Sequence, residues 1–140
     1  AVYQSILDKQ DDRIIIISAD DTALVNALQR RAYVVLQKSL REGFGLTVTE
    51  AMWKGTPVIG GNVGGIRYQI KDGVNGFLVS SIEEAAQRIL DLFADPERRR
   101  IMGLRARDAV LENFLMTRLL EQYIDLMTSF ETVYRIKDTK

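Results

Sequence analysis

The sequence predicts an α/β fold built around a parallel sheet, and three observations support this class. Residues Arg13 to Ile17 include four consecutive isoleucines, a run typical of a strand that is buried on both faces of a parallel sheet. Short apolar strands of this kind alternate along the chain with amphipathic helices. Glycine-rich turns follow two of the strands, at the edge of an open α/β sheet where ligands commonly bind.

The first part of the chain predicts two helices and two strands. Residues 1–9 have apolar positions at helical spacing and indicate the end of a longer helix, and Arg13–Ile17 follows as a strand. The polar run 18–21 then caps a helix; two acids at a helix start could suggest a metal site, but capping is the favoured interpretation. Ala32–Gln37 is the second strand. The predicted inward positions of the intervening helix are Leu24, Val25 and Leu28.

The middle of the chain carries two further strands, Pro57–Gly60 and Gly76–Val79, separated by a second glycine-rich turn. Ser81 and Glu84 then form a capping box at the start of a helix. Pro96 stands where the first residue of the next helix is expected.

Three C-terminal helices should turn apolar stripes inward. We interpret the arginines at 98–100 as part of a solvated face rather than as a phosphate patch. Beyond Phe130 the tail 131–140 is polar. The three stripes are Ala85, Ala86, Ile89, Leu90 and Phe93; Met102, Ala106, Ala109 and Val110; and Leu119, Leu120, Tyr123, Ile124 and Met127.

Composition excludes several classes of function. Lysine plus arginine and aspartate plus glutamate number 19 each, so charge does not favour nucleic acid or an anionic membrane as a partner. The absence of cysteine excludes disulfides and thiolate chemistry, and the absence of histidine excludes a Ser-His-Asp triad and ordinary zinc sites. Because no apolar run approaches the ~20 residues of a membrane span, we expect a cytoplasmic protein.

The stretch from Arg41 to Gly65 contains a candidate ligand site. Glu42 and Glu50 stand eight positions apart, with Gly43-Phe44-Gly45 between them and a helix that must begin near Leu46. The glycines allow another group to approach the main chain, and the first amides of the helix point at the turn, where the macrodipole favours an anion. Amides for a phosphate and carboxylates for hydroxyl groups together suit a sugar phosphate.

The same residues permit a second interpretation. Thr47 followed by Glu50 also matches a capping box, which would stabilise the helix start without any ligand, and local spacing leaves both interpretations open. The second glycine-rich turn, residues 60–65, should open a short helix through Ile70 and lie beside the first turn, so that the two form one cleft. It does not match the dinucleotide fingerprint Gly-x-Gly-x-x-Gly.

These motifs resemble those of family-four glycosyltransferases of GT-B architecture. The family signature is a glutamate, seven residues and a second glutamate, and here it runs from Glu42 to Glu50. Residues 51–52, 55–59 and 64–65 follow in the order and spacing of that family. The sequence of residues 51–55, with Gln69-Ile70 later, is similar to that of the trehalose-synthesising branch. The similarity extends from about Val2 to Phe130.

The resemblance implies a Rossmann-like three-layer domain, the GT-B C-terminal domain, incomplete in this chain. Residues 1–130 would be a partial nucleotide-sugar-binding domain and 131–140 a polar tail. The implied parent enzyme is a retaining glycosyltransferase that moves glucose from a nucleoside-diphosphate-glucose to an acceptor sugar, glucose giving trehalose, with no metal or other cofactor. Its phosphate-neutralising Arg and Lys and its acceptor domain would lie upstream, so we expect the isolated chain to be inactive. The alternative is a non-catalytic nucleotide-binding or assembly module with the same fold.

Site roles follow from the resemblance. Glu42 would be the catalytic acid, which contacts the donor sugar near its reacting face, and Glu50 would bind the ribose hydroxyls. The main chain of Gly43, Phe44 and Gly45 would contact the sugar, and the amides of Leu46 and Thr47 would hold the distal phosphate. For Trp53, which stands at the far end of that helix, core packing is favoured over stacking on a sugar.

The implied strand order, 3-2-1-4-5-6, leaves this chain with strands three to six. Strands one and two would sit in the middle, so the Ala32–Gln37 strand would have an open apolar edge. We expect the gap to close either by direct pairing of Arg13–Ile17 with that strand or by a homodimer across the exposed edge.

Overall fold

The structure is a computed structural model that describes residues 11–18 and 21–137, with side chains described as far as residue 130. The predicted helix over residues 1–9 lies outside the described residues, as do residues 19 and 20 of the predicted capping run. Within these residues, six helices and three strands follow one another in the order α1, β1, α2, β2, α3, β3, α4, α5, α6. Their bounds are α1 Thr22–Arg31, β1 Val35–Gln37, α2 Leu46–Trp53, β2 Val58–Gly61, α3 Ile66–Gln69, β3 Phe77–Val79, α4 Ile82–Ala94, α5 Pro96–Asn113 and α6 Met116–Lys137.

The three strands form a parallel sheet in the order β1-β2-β3, which confirms the predicted class and the predicted neighbours of these strands. Val35 lies opposite Val58, and Ile59 lies opposite Phe77. Each strand begins later than predicted, most clearly β1, which begins at Val35 rather than at Ala32, and β2 ends one residue later, at Gly61. Because all three run in one direction, their carboxyl ends meet at one edge of the sheet.

Burial on both faces of β2 explains why helices cover the sheet on two sides. Val58 belongs to a cluster with residues of α2, α3 and α5, whereas Ile59 belongs to a second cluster with β3, α4 and Met102. Successive side chains of a strand point to opposite faces, so each face of β2 buries its own apolar set. The two clusters are Val48, Ala51, Met52, Val58, Ile66, Ile70, Ala106 and Val110, and Ile59, Phe77, Val79, Ala85, Leu92 and Met102.

The predicted strand over Arg13–Ile17 is wrong. This segment forms no strand, and its four isoleucines are 40–80% exposed. Its start is a local turn, in which the main-chain amides of Arg13 and Ile14 donate to the side chain and the carbonyl of Asp11. A run of isoleucines becomes a strand only where the sheet offers it a neighbour, and no described element pairs with this one.

Local helix signals were predicted correctly, but the buried faces only in part. Ser81 and Glu84 form the capping box of α4, Asp21 caps α1, and Pro96 is the first residue of α5. The predicted stripe of α5 is buried or half-buried. In α4, Leu92 is buried instead of Leu90 and Phe93, which are both more than half exposed.

The predicted inward face of α6 is exposed, and so is that of α1 except for the half-buried Leu24. Val25 and Leu28 of α1 are 44% and 48% exposed, and all five predicted positions of α6 are exposed. No other described element covers these faces, and periodicity alone cannot say whether a covering surface is present. The helix α6 continues to Lys137 and so runs through most of the segment 131–140, which stays a predicted polar tail. None of the described helices is both long and apolar enough to cross a membrane.

The arginines of α5 cover aromatic rings that come from other elements. The Arg98 guanidinium lies 5.3 Å from the ring centre of Phe77, and that of Arg99 lies 4.1 Å from the ring centre of Tyr33. Arg100 instead pairs with Glu97 on the same helix. The face is solvated as predicted, but two of its cations also stack on rings that are distant in sequence.

Two ways of covering the open edge of β1 were expected, pairing with Arg13–Ile17 and pairing with a second copy of the chain. Direct pairing with Arg13–Ile17 does not occur among the described residues, so that expectation is wrong.

Self-association across β1 stays a prediction: at low micromolar concentration, sedimentation should give a dimer mass. Because a charge on an edge strand disfavours strand pairing, Leu36→Lys should shift the equilibrium toward monomer. A folded monomer for the unaltered chain would contradict the prediction.

Candidate functional site

Of the two glycines in the loop between β1 and α2, Gly45 adopts the left-handed backbone conformation and Gly43 does not. Gly45 is the residue before the helix and has a positive φ of 87°, and α2 begins at Leu46 as expected. Among the side chains that the structure describes, none caps this helix start. The capping-box alternative is therefore wrong, because Thr47 already lies inside the first turn and its hydroxyl cannot occupy the capping position.

The second glycine-rich turn packs directly on the first. The amide of Gly65 donates to the carbonyl of Gly43 at 2.7 Å. A Cβ atom at Gly64, where φ is 48°, would overlap the carbonyl oxygen of Glu42, and one at Gly65 would lie 2.6 Å from the Cα of Phe44. Glycine is required here because backbone meets backbone. The predicted adjacency of the two turns is confirmed.

A buried amide holds the loop from behind. Gln69, at the end of α3, is 2% exposed. Its Nε2 donates to the carbonyl of Phe44, and its Oε1 accepts from Thr49 Oγ1 at 2.7 Å. The sequence pointed to this residue only through the resemblance of Gln69-Ile70 to the trehalose-synthesising branch, and it gave no reason to aim the amide at the loop.

All three carbonyl groups of Gly43-Phe44-Gly45 are engaged within the protein. Gly43 accepts from Gly65, Phe44 accepts from Gln69, and Gly45 accepts from Val48 of the first helical turn. Within the described part of the chain, the amides of Leu46 and Thr47 donate to no acceptor. Two adjacent N–H groups therefore stand at the positive end of the α2 dipole, which favours an anion.

Glu42 is fixed at the mouth of this loop. Its side chain is half-buried, and its Oε2 accepts from Ser39 Oγ at 3.3 Å and from Gln37 Nε2 at 3.5 Å. Its Oε1 accepts the amide of Gly43 at 3.1 Å. Since Gln37 is the last residue of β1, the carboxylate lies at the carboxyl edge of the sheet, where the sequence predicts the ligand.

Glu50 contacts a different part of the molecule. Its carboxylate is exposed on α2 and accepts from Gln29 Nε2 of α1 at 3.3 Å. The Oε1 of Gln29 accepts from Lys54 Nζ at 2.6 Å, which orients the amide. The structure therefore brings Glu42 to the loop and places Glu50 on the side of α2 that faces α1. Sequence reasoning did not identify Gln29 as the partner of Glu50.

Two aromatic residues, Phe44 and Trp53, stand at opposite ends of α2. Phe44 is 45% exposed, and its ring packs edge-on against Phe114 with centres 5.9 Å apart. Trp53 stands at the opposite end of α2, partly exposed beneath the Arg107 guanidinium at 5.3 Å. Because Trp53 is at the far end of the helix from the glycine loop, its position does not support stacking on a sugar, and its partial exposure makes it a boundary residue rather than a core one.

Comparison with known families decides the assignment. The sequence profile of the family described as glycosyl transferases group 1 matches residues 6–109. The chain belongs to this family. The matched range includes the glycine loop and the helix α2.

Similar proteins of known identity support the same assignment. The chain is 54% identical to the trehalose synthase of Pyrococcus horikoshii over 105 residues, which are 75% of this chain and 25% of that protein. It spans about a quarter of the length of the curated relatives it matches first. A further trehalose synthase, from Rubrobacter xylanophilus, is 51% identical over 102 residues, 73% of this chain and 24% of that protein.

Solved structures confirm the fold of this glycosyl transferase group 1 chain. The sucrose-phosphate synthase of Thermosynechococcus elongatus superposes with a TM-score of 0.80 and 27% identity, over 94% of this chain and 34% of that one. The HepE protein of Anabaena, in complex with UDP-glucose, superposes with a TM-score of 0.76 and 25% identity, over 91% of this chain and 36% of that one.

Proposed function

We propose that this chain forms part of the donor site of a retaining glycosyltransferase that transfers glucose from a nucleoside-diphosphate-glucose to an acceptor sugar, glucose giving trehalose. The observation that carries the proposal is the pair of unpaired amides, Leu46 and Thr47, beside the anchored carboxylate of Glu42. The trehalose product is supported by the 54% identity to a trehalose synthase. Nucleotide sugar as donor is supported by the similarity to a structure that holds UDP-glucose.

Each residue has a role in the proposed complex. The amides of Leu46 and Thr47 bind the distal phosphate, and the main chain of Gly43, Phe44 and Gly45 contacts the sugar. Glu42, a half-buried acceptor already bonded to Ser39 and Gln37, contacts the donor sugar at its reacting face. Glu50 is exposed and accepts one hydrogen bond from the described residues, that of Gln29, which leaves lone pairs for the ribose hydroxyls.

The chemistry that these groups serve is a substitution at the anomeric carbon. The bond from this carbon to the diphosphate oxygen breaks, and the diphosphate leaves with the electron pair. A bond to an acceptor hydroxyl oxygen forms, and the hydroxyl proton is released. Amides already aimed at the distal phosphate stabilise the departing charge without reorganising, which is how fixed dipoles lower such barriers. The proposal needs no metal for this role.

Binding of UDP and UDP-glucose to the chain tests the proposal by calorimetric titration. We expect saturable binding, and Glu50→Ala should weaken it by about 1.5–3 kcal/mol because hydrogen bonds from ribose to a charged acceptor are lost. The matched control is Glu112→Ala, which removes an exposed glutamate from α5 and should leave the affinity unchanged. Equal affinities for the Glu50→Ala variant and the unaltered chain would contradict the assigned role.

The exposed apolar face of α6 favours a second candidate function, a non-catalytic binding or assembly module. Such a face is unusual for a helix that serves only a donor site, and it fits a helix that docks on a partner. The same titration discriminates between the two functions. A pure assembly module should show no saturable binding of UDP that depends on Glu50.

A further inference from the structure

We infer that Gln69 is a positioning residue of the donor loop: its amide side chain connects the Phe44 carbonyl to the first turns of α2 and so aims the Leu46 and Thr47 amides at the diphosphate. The inference deepens the proposed function and rests on it. Within the described part of the chain, Gln69 bonds to the Phe44 carbonyl but makes no hydrogen bond with the Leu46 or Thr47 amide, which are the groups assigned to the phosphate. It acts through the loop.

The chemistry of the two contacts fixes the orientation of the amide. The Phe44 carbonyl can only accept a hydrogen bond, so the Nε2 of Gln69 must face it. The Oε1 then faces Thr49 Oγ1, whose hydroxyl donates at 2.7 Å. One side chain thus satisfies a carbonyl of the turn and a hydroxyl of the helix, on the two sides of the helix start at Gly45.

Burial makes this connection rigid. Gln69 is 2% exposed, and its own main-chain carbonyl accepts from the Nδ2 of Asn75, which is also buried. The Oδ1 of Asn75 accepts the amide of Lys71 at 2.7 Å and holds the backbone just after Gln69. Water does not compete well for buried groups, so the loss of either contact leaves a donor or an acceptor unpaired.

A rigid loop matters because the Leu46 and Thr47 amides, which bind the phosphate in the proposed complex, come just after Gly43 and Phe44, whose carbonyl groups are held by hydrogen bonds. Gly45 has a positive φ and no side chain, so the turn has little stiffness of its own. The Gly65 amide fixes the carbonyl of Gly43, and Gln69 fixes the next one. With the carbonyls held from behind, the N–H groups of Leu46 and Thr47 keep one direction, and less entropy is lost when a phosphate binds.

The test uses two variants with a matched control. Gln69→Glu keeps the shape and the acceptor for Thr49 but replaces the donor that faces Phe44 with an oxygen. Thr49→Val removes the hydroxyl on the other side. The control is Thr56→Val, which removes a buried hydroxyl that donates to the Gln29 carbonyl at the far end of α2. Thermal unfolding checks that each variant is folded.

Two measurements test the positioning role of Gln69 separately from the proposed function. Amide hydrogen exchange at residues 43–49 should speed up in Gln69→Glu and Thr49→Val and stay unchanged in Thr56→Val. Affinity for UDP should fall about tenfold in Gln69→Glu, whereas affinity for uridine, which lacks the diphosphate, should not change. A general loss of structure would weaken both ligands alike.

The outcomes decide between the claims. If amide hydrogen exchange at residues 43–49 is unchanged in both variants, Gln69 does not order the loop, whatever the affinity for UDP. An equal loss of UDP and uridine affinity overturns the positioning role. If the unaltered chain binds no UDP, the proposed function fails, and the exchange measurement still reports whether Gln69 orders the loop.

Discussion

Replacing Gly103 with alanine should lower the free energy of unfolding by about 2 kcal/mol or more, by overpacking. A Cβ atom at this position would overlap the carbonyl oxygen of Gly55 and would lie 3.0 Å from the carbonyl carbon of the same residue. Both are main-chain atoms of the turn between α2 and β2, so they cannot rotate away as a flexible side chain would. The helix α5 and this turn must therefore move apart or bend.

The higher helix propensity of alanine favours the substitution, but we expect this gain to be smaller than the cost of the overlap. Alanine stabilises a helix interior relative to glycine by about 1 kcal/mol, so an open position in α5 would gain from the change. At Gly103 the overlap outweighs this gain, because α5 packs on α2 more extensively than any other pair of helices in the described part of the chain. Arg105→Ala, an exposed change on the same helix, is the control and should stay within about 0.5 kcal/mol. Chemical denaturation followed by circular dichroism makes the measurement; equal stability of Gly103→Ala and the unaltered chain would contradict the close approach of α5.

Replacing Gly65 with alanine should reduce UDP affinity at least tenfold while the chain remains folded. The added Cβ would lie 2.6 Å from both the Cα and the carbonyl oxygen of Phe44, and it would also overlap the carbonyl oxygen of Gly43. Relief of this overlap must displace the signature loop, and the Leu46 and Thr47 amides move with it. A displacement of that kind costs a large part of the binding free energy of an anion held by fixed donors; tenfold corresponds to about 1.4 kcal/mol.

Gly73→Ala provides the control for a stability effect that is remote from the loop. Gly73 has a positive φ of 72° but open space around it, so alanine there is strained, by about 1–2 kcal/mol, without touching the donor loop. Calorimetric titration of UDP against both variants and the unaltered chain makes the comparison. If Gly65→Ala bound UDP as tightly as Gly73→Ala, the contact between the two glycine turns would have no part in donor binding.

The sequence by itself determined the features that depend on nearby residues. The start of α2 follows from Gly45, the capping box of α4 from Ser81 and Glu84, and the start of α5 from Pro96. These signals are local because the hydrogen bonds of a helix end join residues within about four positions of each other. The signature from Glu42 to Glu50 likewise lies on one turn and one helix, so its spacing was readable before any contact was known.

Only the tertiary structure decided which apolar or polar groups find a partner. Ile14 to Ile17 have the composition of a buried strand, yet they remain unpaired and exposed, and the stripe of α6 is uncovered although its period is regular. Gln69 shows the converse, since an ordinary amide becomes the link between Phe44 and Thr49. Periodicity shows that a face is apolar and composition shows that a group can bond, but burial and pairing require a second surface, which comes from residues distant in sequence.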